Sequence, residues 1–234
     1  MNHEKRKLMQ SLLSWLSIPG LATFITGCDH CQQSSAIQDN PDTLLKCKFK
    51  GIYGGEKRID ALLGLSDVVL LMENNWIFAA GVFGTSPSIS SYGGGADRLP
   101  MPKFLRYLRY SSDAKFITHH SWPMYEGEPL VDVTVPVASR IPDDLLADLR
   151  RDRKGLLRLK IRLMSDAILI GWDIERRPGF NPKKRDNYGH PVYVAPVHSF
   201  AGGDFREAKI YNGKTVRKGW YIDPKTGERI ETDF

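Results

Sequence analysis

A segment that alternates between apolar and basic residues is followed, after a short turn, by a mostly apolar segment. Residues 156–163 alternate leucine or isoleucine with arginine or lysine, and residues 167–174 are mostly apolar. Ser165-Asp166 between them is a dipeptide typical of turns. A strand places successive side chains on opposite faces of its sheet, so such a segment has one apolar and one polar face. The pattern predicts an antiparallel hairpin whose basic side chains lie on a solvent-exposed face.

Further segments have the composition of strands. Asn212-Gly213, the dipeptide most typical of tight hairpin turns, lies between two of them. Pro191 and Pro196 limit the segment between them to a sheet edge, because proline lacks the N–H that a central strand donates. The predicted strands are 45–53, 68–72, 76–83, 103–110, 130–135, 156–163, 167–174, 192–197, 208–211 and 216–221.

One segment, residues 142–154, has the pattern of a helix. Pro142 suits the first helical position, and the carboxylates of Asp143 and Asp144 suit the positive end of a helix. Three leucines then form an apolar stripe, basic residues follow, and Gly155 ends the pattern. A weaker helical pattern covers residues 57–63.

Together these elements predict one β-rich α+β domain over residues 44–234, an antiparallel sheet or sandwich that carries one packed helix. Two segments without strand or helix patterns, residues 84–98 and 175–190, are predicted as exposed loops. Tyr92-Gly93-Gly94-Gly95 lies in the first of them and is typical of a loop, because glycine adopts positive φ readily.

The first 27 residues have the order of a secretory signal. Lys5-Arg6-Lys7 forms a basic tip, residues 8–26 are mostly apolar, and Ile25-Thr26-Gly27 precedes Cys28. Small residues directly before a cysteine make this segment resemble a bacterial lipoprotein signal, so residues 1–27 are predicted to be removed. An uncleaved membrane anchor is the alternative, but serines and Pro19-Gly20 interrupt a run that a spanning helix needs to keep apolar over about 20 residues.

The resemblance implies that Cys28 carries lipid on the mature chain. Several acyl chains hold a protein on a membrane where one chain binds only reversibly. Asp29 follows, and in the sorting rule of enteric lipoproteins this residue retains a protein in the inner membrane. The predicted location is therefore the periplasm, on the inner membrane, with the outer membrane as the alternative. Residues 28–43 are polar and are predicted to be a tether.

Three cysteines occur in the chain: Cys28, Cys31 and Cys47. If Cys28 carries lipid, two thiols remain, and the envelope outside the cytoplasm is oxidising. A disulfide between Cys31 and Cys47 is therefore possible, and two free thiols are the alternative.

The formal net charge of +6 includes no basic run interleaved with aromatics in a nucleic-acid pattern, so no nucleic-acid partner is predicted. No sequence pattern predicts a cofactor or a metal. Arginine and aromatic side chains, the residues that most often anchor protein interfaces, are frequent in the predicted loop at 175–190. The predicted partner-binding residues are Tyr92, Arg176, Arg177, Phe180, Lys183, Lys184, Arg185 and Tyr188.

Three residue groups are candidates for catalysis or metal binding. Ser112 and Lys115 match the S-x-x-K box of penicillin-recognising enzymes, but Ser112 lies in a predicted turn. His119-His120 has metal-binding residue types, although neighbouring strand residues point to opposite faces. His198 with Ser199 and Asp204 has the residue types of a triad. We interpret all three as loop or surface residues and predict no catalytic residue.

Three segments make the chain resemble a family of uncharacterised proteobacterial lipoproteins: Leu99-Pro100 before a strand, the strand-to-helix run at 131–150, and ILIGWDIE at 168–175. Some members are encoded beside lipase effectors of type VI secretion systems and bind the toxin in the periplasm. The resemblance implies an immunity protein that neutralises a secreted toxin, with a phospholipase as the expected class, and no catalytic residues. An envelope hydrolase or metal-binding enzyme and a structural lipoprotein of an envelope or secretion assembly are the alternatives.

Overall fold

The computed structural model describes most of the chain from residue 41 onward. The described residues are 41–93, 99–119, 122–177, 179–207, 209–211, 214–217 and 219–232. Their helices are α1 (Pro41–Lys48) and α2 (Asp143–Arg151). Their strands are β1 (Gly54–Ala61), β2 (Leu65–Leu71), β3 (Ile77–Phe83), β4 (Ser88–Gly93), β5 (Phe104–Arg109), β6 (Lys115–His119), β7 (Trp122–Glu126), β8 (Val131–Pro136), β9 (Gly155–Leu163), β10 (Ile168–Arg176), β11 (Phe180–Arg185), β12 (Pro191–Tyr193), β13 (Val197–Gly203), β14 (Phe205–Arg206), β15 (Lys209–Tyr211), β16 (Lys214–Arg217), β17 (Gly219–Ile222) and β18 (Arg229–Thr232).

Two larger sheets pack against each other. One has five strands in the order β13-β10-β9-β1-β4, and the other has four in the order β3-β2-β5-β8. β1 and β9 run parallel, whereas the neighbouring pairs β1–β4, β9–β10 and β10–β13 are antiparallel. Shorter sheets β6–β7, β11–β12, β15–β16 and β14-β17-β18 complete the described strands. The predicted fold class, a β-rich α+β sandwich, is confirmed.

The core lies between the two larger sheets and under α2. Leu159 of β9 and Leu105 of β5 are fully buried in one continuous apolar cluster. Leu145, Leu146 and Leu149 of α2 belong to the same cluster, because residues three and four apart share one helix face. The packed helix predicted at 142–154 is therefore confirmed, with Arg151 as its last residue.

The first element is a helix, so the strand predicted at 45–53 is wrong. Pro41 begins α1, where the missing N–H of proline costs no hydrogen bond. Leu45 and Phe49 are four residues apart and both pack on the core, which the helical spacing allows. The lysines between the apolar residues are compatible with a helix and with a strand. The packing of Leu45 and Phe49 on the core favours the helix.

The helix predicted at 57–63 is also wrong, because β1 occupies most of it. β1 pairs with β4 on one side and with β9 on the other. Ile59 and Ala61 are buried in the core, and Arg58 and Asp60 lie on the opposite face. Pairing on both sides outweighs the weak local preference for helix.

Several predicted boundaries differ from the structure. The loop predicted at 84–98 contains β4, and the loop predicted at 175–190 contains β11. The strand predicted at 192–197 is divided between β12 and β13, and the one at 216–221 between β16 and β17. The turn at Asn212-Gly213 lies outside the described residues, although β15 and β16 on either side of it are paired as predicted.

The remaining strand predictions are confirmed in position: 68–72, 76–83, 103–110, 130–135, 156–163 and 167–174. No helix within the described ranges is long and apolar enough to cross a membrane.

We expect the substitution Leu146→Ala to lower the free energy of unfolding by about 2–5 kcal/mol, because it opens a cavity beneath α2. The control is Leu63→Ala, since 71% of the Leu63 surface is exposed and its loss should change stability by less than about 0.5 kcal/mol. Urea denaturation of both variants measures the difference. Equal stability of the two variants would contradict the position of α2.

Candidate partner-binding surface

The chain leaves β10 and forms a separate two-stranded hairpin, β11–β12. We call residues 179–193 the basic hairpin. Phe180 is paired with Tyr193 across it, and their rings meet edge to face with centroids 5.1 Å apart. The Oδ1 atom of Asp186 accepts hydrogen bonds from the N–H groups of Tyr188 (2.9 Å) and His190 (2.8 Å), which closes the turn. The hydrogen bond from His190 is the largest cause of a lowered pKa of Asp186.

Three neighbouring cations of the basic hairpin are exposed and have no ion-pair partner among the described residues. They are Lys183, Lys184 and Arg185. Tyr188 lies beyond them with 86% of its surface exposed, and Phe180 and Tyr193 are more than half exposed. Exposed aromatic rings beside unpaired cations have the composition of interface anchors. The predicted partner-binding residues in this segment therefore lie together on one accessible element.

Arg176 and Arg177 lie just before the hairpin, and both guanidinium groups already have protein partners. Arg176 donates to Asp148 at 2.5 Å and to Asp152 at 2.7 Å, which ties β10 to the end of α2. Arg177 is half-exposed and forms ion pairs with Glu175 and Glu56. Their predicted contact with a partner stays a prediction, but Arg176 has a structural role that accounts for its charge.

Three further predicted residues, Cys28, Cys31 and Tyr92, lie wholly or partly outside the described part of the chain. Cys28 and Cys31 precede it, so the lipid site and the pairing of Cys31 stay predictions. Cys47 lies in α1 and is disulfide-bonded. Tyr92 belongs to β4 and pairs with Gly55 through the backbone, while its side chain is not among those described.

The basic side chains of β9 are buried, so the exposed polar face predicted for residues 156–163 is wrong. Arg158, Lys160 and Arg162 are each no more than 5% exposed. They alternate with core leucines, so they point to the face of the sheet opposite the core. With the acidic side chains around them they form a group that we call the charged lattice: Glu56, Asp60, Arg158, Lys160, Arg162, Asp173 and Glu175.

Strand register places opposite charges beside each other in the charged lattice. Arg158 lies opposite Glu56 of β1 and Asp173 of β10, and Arg162 lies opposite Asp60. Cross-strand neighbours have Cβ atoms about 5 Å apart, within reach of long side chains. The sequence signal for this lattice is that β9 has basic residues at positions where both neighbouring strands have acidic residues.

Two bidentate ion pairs form the centre of the lattice. Arg158 donates to both carboxylate oxygens of Asp173, at 2.6 and 2.5 Å, and Arg162 donates to both oxygens of Asp60, at 2.8 Å each. Glu175 lies 3.2 Å from Arg158. The ammonium of Lys160 lies 3.4 Å from Asp173. Paired oxygens and nitrogens in this planar arrangement make the strongest class of side-chain hydrogen bond.

An aromatic ring covers part of the lattice. The Arg162 guanidinium carbon lies 4.5 Å from the centre of the Phe205 ring, and the Lys160 ammonium lies 5.6 Å from it. A Cβ atom at Gly171 would lie 3.1 Å from that ring. The absence of a side chain at Gly171 therefore lets Phe205 lie on the sheet against Lys160 and Arg162.

His198 lies at the rim of the lattice. Its Nδ1 is 2.8 Å from an Arg158 nitrogen, and because arginine has only donors, Nδ1 accepts. Burial and the charge of Arg158 lower the pKa of His198. Burial by itself would raise the pKa of Asp173, but hydrogen bonds from Arg158 and the charge of Lys160 lower it overall. The lattice therefore holds a neutral histidine and an ionised aspartate.

The two residue groups considered for catalysis do not form a catalytic arrangement. Ser112 lies in a turn, and Lys115 begins β6 and pairs with Glu126 at 3.0 Å. Ser199 accepts a hydrogen bond from Arg176, and Asp204 pairs with Arg140, so neither is directed to His198.

His119 ends β6, while its side chain and the residue His120 lie outside the described part. No group of three or more histidine, cysteine, aspartate or glutamate residues within the described segments has the geometry of a metal site.

Comparison of the chain with protein-family models, curated proteins and solved structures gave no match.

We expect Asp173→Asn to destabilise the fold by about 3–5 kcal/mol, because it removes the bidentate partner of buried Arg158 and leaves Arg158 with Glu175 and Lys160 with Glu207, both at longer distance. The matched control is Asp132→Asn, which breaks an exposed bidentate pair with Arg106 and should cost no more than about 1 kcal/mol. Urea denaturation at pH 7 measures both.

The same variant tests the pH dependence of the lattice. The lowered pKa of Asp173 contributes stability that is present above the unfolded value near 3.9 and is lost as the pH falls through the folded value. We expect the wild-type protein to lose more stability than Asp173→Asn between pH 5 and pH 2. Parallel curves for the two proteins over that range would contradict the pairing.

Proposed function

We propose that this protein is a lipid-anchored periplasmic binding protein that neutralises a secreted toxin. The proposed class is an immunity protein of type VI secretion, and a phospholipase effector is the proposed toxin. The observation that carries the binding role is the basic hairpin, where three exposed cations without described ion-pair partners lie beside exposed aromatic rings. The resemblance of the N-terminal segment to a lipoprotein signal supports the anchor.

The charge distribution supports a protein partner with an acidic surface. Lys183, Lys184 and Arg185 outnumber the single carboxylate of the hairpin, Asp186. Charges of one sign on an accessible element accelerate encounter with an oppositely charged partner. By contrast, the cations of the charged lattice are buried and paired, and they offer nothing to a partner. The hairpin is therefore the proposed contact site.

The proposed mechanism is steric. A hairpin held by a rigid sandwich covers the active-site cleft of the toxin, and no chemistry by this chain is required. The tether from Cys28 keeps the domain at the membrane, where a lipase has its substrate. Confinement to that surface raises the effective concentration of the domain and so favours capture.

We expect Lys184→Glu to weaken binding to the toxin encoded by the neighbouring gene by about tenfold, or about 1.4 kcal/mol, mostly through slower association at low salt. Lys225→Glu is the matched control, because Lys225 is also exposed but pairs with Asp166 in the β9–β10 turn, at the opposite end of β10 from the hairpin. Calorimetry and stopped-flow association measure the two effects. Equal affinities for both variants would contradict the hairpin as the contact site.

A competition between sibling strains tests the protective role. We expect a deletion strain to die when attacked by its parent, and the wild-type gene to restore survival. A Cys28→Ala gene in which a cleavable non-lipoprotein signal replaces residues 1–27 should restore it only partly, because the unanchored protein is diluted away from the membrane. Survival of the deletion strain would contradict the immunity role, and capture of envelope-assembly components instead of the toxin would favour a structural lipoprotein. Mass spectrometry of the native chain reports directly whether Cys28 carries acyl chains.

A further inference from the structure

An apolar groove opens between the two larger sheets, on the side of α1. It has a volume of about 950 Å³, which lies within the range of small-molecule sites. Its walls come from α1, from the turn between β2 and β3, and from the segment before β5. The apolar lining side chains that are not fully buried include Leu45, Met72, Trp76, Ile77 and Met101.

The ammonium of Lys57 is half-buried in this lining. Lys57 of β1 donates to the carbonyl oxygen of Phe78 at 2.5 Å, and its nitrogen lies 4.4 Å from the centre of the Phe78 ring. An ammonium has three donors, and no carboxylate among the described residues forms an ion pair with Lys57. Burial lowers the pKa of Lys57. An anion that entered the groove would supply the charge partner that the described walls lack.

The other two charged side chains of the groove, those of Glu73 and Lys103, have opposite signs. Glu73 accepts a hydrogen bond from the backbone N–H of Lys103 at 2.9 Å. The lining therefore contains two lysines and one glutamate, a net charge of one positive unit. A groove with mostly apolar walls and one net positive charge matches a ligand with one negative charge and a long apolar body.

We propose that this groove binds a long-chain fatty acid, with the carboxylate at Lys57 and the chain along Leu45, Met72 and Trp76. A neutral chain of the same length gains the apolar contacts alone. A short carboxylate gains the ion pair but leaves the apolar walls open. This binding site is separate from the basic hairpin and does not depend on the proposed immunity role.

Displacement of a fluorescent fatty acid tests the proposal. The mature chain, residues 28–234 with Cys28→Ser, is used, because it lacks both the apolar segment at 8–26 and the thiol that is proposed to carry lipid. The probe is 11-(dansylamino)undecanoic acid, and the competitors are oleate and oleyl alcohol. We expect oleate to displace the probe at least tenfold more effectively than the alcohol.

Two variants localise the site. Lys57→Met keeps the apolar stem and removes the charge, so oleate should lose at least tenfold in affinity while oleyl alcohol is unchanged. Met72→Trp fills the groove and should weaken both competitors. Lys154→Met, at an exposed lysine outside the groove, should change neither. The unchanged alcohol affinity of Lys57→Met also reports that the variant is folded.

No saturable binding of oleate, or oleate binding that Lys57→Met and Met72→Trp leave unchanged, would overturn the proposal. If Lys57→Met loses affinity for oleyl alcohol as well, the test rests on Met72→Trp, because that variant retains the Lys57 ammonium. Unchanged oleate binding by Met72→Trp then overturns the proposal, and weakened oleate binding supports it.

Discussion

The bidentate pairs Arg158–Asp173 and Arg162–Asp60 hold together the three central strands of the five-stranded sheet. An ion pair removed from water is worth little more than a well-packed apolar pair, but one of its members left alone is costly. β1, β9 and β10 therefore have to keep their register, because a shift by one residue would move every lattice charge into the apolar core. The sandwich and α2 are built on the other face of the same strands, so both faces depend on this pairing.

This arrangement separates the charges of the chain into two kinds. The lattice charges are paired and buried, and Phe205 lying on Gly171 covers Lys160 and Arg162. The cations of the basic hairpin are exposed and have no ion-pair partner among the described residues. Arg176 and Arg177 lie between the lattice and the basic hairpin. Their guanidinium groups pair with carboxylates of the sandwich and so fix the start of the hairpin. The proposed binding role rests on the exposed cations of the basic hairpin, and the stability of the sandwich rests on the paired charges of the lattice.

The extent to which the fold follows from the sequence depends on the element. The β9–β10 hairpin and α2 are predicted because alternation and leucine spacing are local patterns. The burial of Arg158, Lys160 and Arg162 is not predicted, because alternation alone does not say which face of a hairpin meets water. Asp173 lies on the neighbouring strand of the hairpin, but Asp60 and Phe205, which complete and cover the charged face, lie far away in the sequence. Residues 45–53 and 57–63 are ambiguous between helix and strand locally, and tertiary packing decides both. The basic residues of the hairpin are predicted as exposed, whereas Tyr193, which pairs with Phe180, is found only through the strand register.

Reaction of lysines with an amine-specific reagent tests this division most directly. Native protein is treated with an N-hydroxysuccinimide acetate ester, and the modified residues are identified by mass spectrometry over time. The account requires Lys183 and Lys184 to react rapidly and Lys160, which is 4% exposed, to stay unmodified until the protein is unfolded in urea. Modification of Lys160 at the rate of Lys184 in the folded protein would show that the charged face of the sheet is open to solvent and would contradict the closed lattice.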